Sequence, residues 1–301
     1  MDKNHFEVII IGGSYAGLSA AMSLGRSRRQ VLIVDNGQPC NSQTPHSHNF
    51  LTQDGQAPAN IIAKSKVELQ QYTTLHFIKD KASSGFRTEN GFGITTESGE
   101  NFYGKKLLFA TGVKDEMPAI PGFAECWGIS VLHCPYCHGF EVSNQPMAVI
   151  ANGNIGFDFC KLISNWTSQL TLICNGKSTL TSEQSAILVA NKINIIEKEI
   201  HLIEHTQGYL NNLVFTDKTR LPLTAVFARI PFKQHCNIPI ELGCLINEAG
   251  YIVADEFSRT NIAGIYAAGD NSTMLRSVAS AVAAGNKAGA VINKELIDER
   301  F

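Results

Sequence analysis

The sequence has no apolar run approaching the roughly 20 residues a membrane helix needs, so no membrane-spanning role is expected. It has no surplus of either charge: 25 basic and 27 acidic residues leave a net charge of −2. Without a basic excess there is no electrostatic footprint for nucleic acid or an anionic membrane, and neither is expected as a partner. Low-complexity tracts and tandem arrays are missing, which excludes solenoid architectures. The opening MDKNH is polar and lacks the layout of a secretory signal, so a cytoplasmic protein is expected. Cysteine is too sparse for a disulfide scaffold. Six of the eight (Cys40, Cys126, Cys160, Cys174, Cys236 and Cys244) follow no motif spacing and read as reduced thiols. Arginine is absent from the whole stretch between Arg87 and Arg220.

What is present suffices for a sizeable core. The composition is 44% hydrophobic, and 301 residues accommodate two domains of ordinary size. Residues 7–11 (EVIII) form a short apolar run of the kind buried parallel strands show. A glycine-rich turn follows at 12–17 (GGSYAG), then a small-residue helix at 18–24, then a second apolar run at 31–34 closed by Asp35. This is one βαβ unit. Residues 36–58 read as an irregular loop, and a helix is expected at 59–69. Alternating residues from 86 to 106 predict an antiparallel meander, and 106–110 another buried strand closed by Thr111-Gly112.

From 147 onward the opening pattern partly repeats, with strand 147–150, turn 151–156, helix 157–166 and strand 169–174. A strand at 264–270 ends in Gly269-Asp270 and leads into a second small-residue helix. The fold class expected is therefore α/β, with two Rossmann-like three-layer nucleotide-binding domains.

The first turn has the chemistry of a dinucleotide site. Gly12 permits the tight turn, Ser14 is small enough for the backbone to approach a pyrophosphate, and Gly17 allows helix and strand to pack closely. Gly13 and Ala16 complete the turn, and Asp35 stands where a carboxylate accepts hydrogen bonds from a ribose.

Cys134 and Cys137 form the one C-x-x-C in the chain, inside HCPYCHG at 133–139. Away from secretory surroundings this spacing points to redox chemistry or a metal. Zinc would need further ligands, and no second C-x-x-C or spaced His pair supplies them, so no metal is expected. The histidines of PHSHNF at 45–50 include His46 and His48, which read as solvated or cofactor-contacting rather than as a metal pair.

Four strings in order, GGSYAG at 12–17, ATG at 110–112, CPYC at 134–137 and YAAGD at 266–270, resemble the low-molecular-weight thioredoxin reductases of the pyridine nucleotide–disulfide oxidoreductase superfamily. The likeness runs along essentially the whole chain. CPYCHG is most similar to the branch holding the gliotoxin- and holomycin-type dithiol oxidases. The resemblance implies an FAD domain (residues 1–114 and 244–301) split by an inserted NAD(P)-binding-like domain (115–243) that carries the cysteine pair. It also implies a homodimer and a swivel between domains.

By the same likeness, Gly12, Gly13, Ser14, Ala16, Gly17 and Asp35 would hold the pyrophosphate and adenosine ribose of FAD. Thr111 and Gly112 would lie near the cofactor, with Asn41 and His48 as flavin-side candidates. Gly269 and Asp270 would reach the ribitol or phosphate. Ser277 and Val278 would open a helix aimed at the isoalloxazine, although Arg276-Ser277 replaces an Arg-Gln pair common in the reductases.

The resemblance further implies that Cys137 exchanges electrons with the flavin and that Cys134 attacks the substrate. His138 stands where the reductases carry an acidic residue, and an imidazole there is the candidate general acid/base. His133 is its rival. If a helix starts at the motif, its N-terminus favours the thiolate of Cys137.

The second turn departs from the pattern. Ala151 replaces its first glycine, and Cys174-Asn175-Gly176-Lys177-Ser178 stands where NADPH-specific members carry an arginine cluster. NADPH binding is expected to be weak or absent, since arginine's planar fork is what suits the 2′-phosphate. Three enzyme readings follow: an NAD(P)H-fed reductase of a thioredoxin-like protein or small disulfide, an oxygen-using dithiol oxidase, and a reductase fed by another protein such as ferredoxin. A flavin-bound redox sensor is the non-enzymatic alternative.

Overall fold

A computed structural model describes residues 4–301; residues 1–3, part of the polar opening MDKNH, lie outside the described residues. The chain forms two compact units. The first comprises the segment ending at Ser42, then Asn49–Lys114 and Phe232–Phe301; the second comprises Gln43–His48 and Asp115–Pro231.

The first unit is built on a seven-stranded sheet. Its continuous path runs Leu75–Ile78, Val31–Val34, His5–Ile11, Asn101–Phe109, Gly91–Thr96 and Ala82–Thr88, with Ile265–Ala267 also paired to Asn101–Phe109. The central pairings are parallel, with Ile10 opposite both Ile33 and Leu108. The strand Asn101–Phe109 is single, where the sequence suggested a meander and then a separate strand. Its first half pairs antiparallel with Gly91–Thr96, and its second half pairs parallel with Ile265–Ala267.

Alternation sorts the central strand between two cores. Val8 and Ile10 face the side covered by helices Tyr15–Arg26 and Val278–Asp298. Ile9 and Ile11 face the other side, with Phe92, Ile94 and Phe109. The two helices approach closely because the contact is made of small residues: a Cβ on Gly285 would fall 2.0 Å from the Ala16 carbonyl oxygen. Beyond the expected boundary at residue 244, the short helix Ile238–Glu241 also packs in this unit. Ile238 and Leu242 are buried against Ile94, and a Cβ on Gly85 would come 2.5 Å from Ile238.

The second unit holds a five-stranded parallel sheet in the order Asn194–Ile196, Leu170–Ile173, Met147–Ile150, Ala225–Ala228 and Val131–Leu132. Its central strands are buried except for the half-buried Ile150 at one end, which is why they read as unbroken apolar runs. Helices Gly153–Ile163 and Ser182–Ala190 belong to this unit, as does an antiparallel sheet of Ile200–Thr206, Tyr209–Phe215 and Arg220–Pro222. The segment Gln43–His48 joins it through Gln43, whose Nε2 donates to the carbonyls of Ala124, Glu125 and Trp127 at 2.9–3.0 Å. Both units are Rossmann-like, and the second is inserted in the first. Among the described residues, no helix is long and apolar enough to cross a membrane.

Candidate active site: a dinucleotide turn and a cysteine pair

In the first unit, Gly12 takes a left-handed φ of +107°, and its N–H donates to the Val34 carbonyl at 2.8 Å. A Cβ there would collide with the Ala110 carbonyl oxygen at 2.2 Å, so only glycine fits. The N–H of Gly13 donates to Asp35 Oδ1 at 3.1 Å, which ties the turn to the acid ending the second strand. The other oxygen of Asp35 lies 3.6 Å from Lys66 Nζ, a partner not foreseen from sequence. The helix begins at Tyr15, earlier than expected, so the end of the glycine turn is itself the first helical turn. Ser14 caps it in an extended conformation with no side-chain cap hydrogen bond. That leaves a helix N-terminus of the kind that receives a phosphate.

The remaining predicted cofactor residues of this unit surround buried polar groups. Asn271, fully buried, donates to the Phe109 carbonyl at 2.8 Å and to Thr111 Oγ1 at 3.3 Å, while its Oδ1 has no hydrogen-bond partner among the described residues. Asn41 donates to the Tyr15 hydroxyl at 3.2 Å, and its Oδ1 is likewise buried without a hydrogen-bond partner. Gly112 has φ +62°, and open space lies where its Cβ would be. A Cβ on Gly269 would come 3.1 Å from Ala16. Asp270 lies 3.6 Å from Arg276 and accepts a hydrogen bond from the Cys40 thiol at 3.9 Å. Ser277 caps Val278–Asp298, its Oγ accepting from Ser280 N at 3.1 Å.

A dinucleotide fits this set. The glycine-tight turn, the uncapped helix start, the carboxylate and two orphaned amide oxygens are what a bound FAD would satisfy. Sequence reasoning missed Tyr15, Lys66 and Asn271. Only Asn271, directly after the Gly-Asp, carried a positional signal.

In the second unit, Cys134 and Cys137 form a disulfide with Cα atoms 5.3 Å apart. Cys134 is the extended N-cap of the short helix Pro135–His138, and Cys137 N–H donates back to its carbonyl at 3.2 Å. Proline at the first helical position needs no partner for a missing N–H, so this start is locally encoded. One turn aligns too few peptide dipoles to hold a thiolate strongly, so the expected helix effect on Cys137 is small. Both cysteines are half-buried, and beside them Tyr136 and Phe140 are exposed. Tyr136 meets Trp166 edge-on at 5.6 Å.

His138 is half-buried, and its basicity is pushed down to about 4, first by burial and then by the nearby His48. Its imidazole is therefore neutral at pH 7 and able to accept a proton. His48 presents its ring edge-on to His138, centroids 6.2 Å apart, and its Nδ1 lies 3.3 Å from Glu141 Oε1. Thus two residues the sequence paired are assigned to different units: Asn41 lies beside Tyr15, and His48 beside His138. His133 instead stacks on Trp127 at 6.0 Å. No group of three or more metal-ligating side chains occurs among the described residues. The other six cysteines are thiols, and burial pushes Cys160 up to about 12 and Cys236 to about 11.

The second turn is tied to the residues after the next strand. Gly153, the position over which a pyrophosphate would come, has Thr179 against it: a Cβ there would lie 2.8 Å from Thr179 Oγ1. Asn152 Oδ1 accepts from Gly153 N (2.8 Å), Thr179 N (2.8 Å) and Thr179 Oγ1 (3.1 Å). Its Nδ2 donates to the Lys177 carbonyl at 2.9 Å, and Gln184 donates to Asn154 at 2.8 Å.

The family model for pyridine nucleotide-disulphide oxidoreductases matches residues 6–286. Among curated proteins, thioredoxin reductase tcpT of Claviceps purpurea (strain 20.1) is 29% identical over 306 residues, covering 98% of this chain and 95% of that protein. Among solved structures, an oxidoreductase from Agrobacterium tumefaciens is 34% identical with a TM-score of 0.92, covering 98% of this chain and 99% of its own. A putative thioredoxin reductase TrxB from Bacillus anthracis is 31% identical with a TM-score of 0.93, covering 98% and 100%.

Proposed function

We propose, for a chain that belongs to the pyridine nucleotide-disulphide oxidoreductase family, that Cys134 and Cys137 are its working redox pair and that the first unit holds FAD. The protein is an oxidoreductase of thioredoxin reductase type. The observation that carries the reading is the closed, half-buried Cys134–Cys137 disulfide followed directly by a neutral imidazole at His138. FAD, when bound, supplies a two-electron carrier. Gly12, Gly13, Ser14, Ala16, Gly17 and Asp35 would hold its dinucleotide half. Asn41, Thr111, Gly112, Gly269, Asp270, Ser277 and Val278 would contact the remainder.

The chain's own chemistry is thiol–disulfide exchange. A substrate thiol gives its proton to His138 as its sulfur bonds to Cys134. The Cys134–Cys137 bond breaks, and Cys137 leaves as a thiolate holding the electron pair. A second substrate thiol then displaces Cys134, releasing an oxidised disulfide and a reduced pair. The same steps in reverse reduce a disulfide. Substrates are a thioredoxin-like protein or a small dithiol or disulfide, and the working form is a homodimer.

One observation favours the oxidising direction. In the second unit no arginine stands between Arg87 and Arg220 to grip a 2′-phosphate, and Thr179 packs beside Gly153 at the second turn. A set of residues without that planar fork favours weak NADPH binding. Electrons then enter from a substrate dithiol, with oxygen as terminal acceptor, or from a protein donor.

An anaerobic titration tests this. NADPH, NADH and dithiothreitol are added separately to the purified protein while the flavin's visible absorbance is followed; air is then admitted and peroxide measured. Bleaching by the dithiol alone, followed by peroxide, is expected. Fast bleaching at low-micromolar NADPH would overturn the oxidising direction, and a protein unable to take up flavin would overturn the whole reading. Cys137→Ser should abolish bleaching by dithiol.

A further inference from the structure

We propose that His48 and Glu141 form the proton outlet of the cysteine pair, with Glu141 as the positioning carboxylate; the inference rests on Cys134–Cys137 being the redox pair. Three titratable groups neighbour one another in the second unit. His138 adjoins Cys137 in the chain and is half-buried. His48 meets it edge-on at 6.2 Å, with 17% of its own side chain exposed. Glu141, 37% exposed, lies 3.3 Å from His48 Nδ1. The other titratable ring facing His48 is His46, which is exposed, with its centroid 6.4 Å away.

The exposure of Glu141 sets the direction of transfer. When a substrate thiol is deprotonated, the proton reaches His138, where burial makes an imidazolium costly. His48, its ring centroid 6.2 Å away, is the next group able to take the proton. Glu141, 3.3 Å from His48 Nδ1 and 37% exposed, then passes the proton to solvent. The balance is simple. The substrate loses one proton and forms a bond to Cys134 Sγ, Cys137 keeps the electron pair of the broken S–S bond, and the proton leaves through His138, His48 and Glu141. A carboxylate fixing an imidazole and stabilising its cation is general to acid–base sites. Here it is assembled from Gln43–His48 and the turn after the redox helix, both in the second unit.

The test measures how fast dithiothreitol opens the Cys134–Cys137 disulfide, by acid quench, alkylation and counting of the two new thiols by mass. No nicotinamide step enters this readout; the assay is run without oxygen, and bleached flavin is counted together with the new thiols, because the flavin can take the electron pair from the opened disulfide. Wild type is compared with Glu141→Gln, Glu141→Asp and His48→Gln from about pH 6 to about pH 9, a range spanning the ordinary imidazole and thiol pKa values. We expect Glu141→Gln and His48→Gln to be slower by about tenfold near pH 7, with the gap closing near pH 9, where dithiothreitol is ionised and needs no base. Glu141→Asp should recover part of the loss. Profiles of both variants that superimpose on wild type, or run parallel to it at every pH, would overturn the outlet while leaving the redox pair intact. A wild-type disulfide that resists dithiothreitol would remove both.

Discussion

Gly17 packs so closely under Gly12 that a Cβ on it would come 1.8 Å from the Gly12 carbonyl oxygen. Glycine is thus required twice in one turn, at Gly12 by φ and at Gly17 by distance. Gly17→Ala should force the helix Tyr15–Arg26 away from the strand His5–Ile11, at a cost of about 1–3 kcal/mol typical of overpacking. Loss of bound flavin per protein chain, together with a lowered Tm, is the expected outcome. Wild-type flavin content would show that the turn can move aside.

Asp35 accepts from Gly13 N–H and lies near Lys66. Asp35→Ala removes the acceptor for that amide and the proposed ribose contact. A lost charge-assisted hydrogen bond is worth about 1.5–3 kcal/mol, so FAD should bind at least about tenfold more weakly. Equilibrium titration of the apoprotein checks this.

Asn152 is the knot that holds the Lys177–Thr179 segment over the second turn. Asn152→Ala leaves Thr179 N and Gly153 N without their acceptor, and because these groups reach solvent the cost is about 0.5–1.5 kcal/mol. Hydrogen exchange should quicken around residues 175–180, while flavin content stays at the wild-type level.

The depressed basicity of His138 has a consequence for stability. Its folded value, about 4, lies below the ordinary 6.5, so between those values the unfolded chain binds more protons than the folded one. Stability from this group is therefore complete above about pH 6.5, falls as pH drops towards 4, and is lost below that, by about 3 kcal/mol at most. Urea titrations of wild type and His138→Gln at several pH values should diverge across that window, the variant showing the shallower decline. Equal slopes would mean that His138 is not held neutral by its surroundings.

Much of the architecture was legible along the chain because its physical causes are local. The strands Val31–Val34 and Met147–Ile150 are covered on both faces, so they appear as unbroken apolar runs. The turn at Gly12–Gly17 and the pair Cys134–Cys137 stand out as short motifs, and the family resemblance implies their chemistry. Other features were opaque because the groups that cause them are remote. The strand Asn101–Phe109 could not be seen as one element, since its two halves take different neighbours on the same side. Ile238 and Leu242 joined the first core through Ile94, a residue more than a hundred positions earlier.

By itself the sequence determined the family, through four short strings in order, and with it the expectation of a dinucleotide turn and a dithiol with an imidazole beside it. Tertiary structure alone decided that Glu141 stands next to His48 and that Thr179 covers Gly153. Those pairings join residues separated by long stretches of chain. They depend on which loop a packed sheet brings to which edge, and no local pattern of residues encodes that.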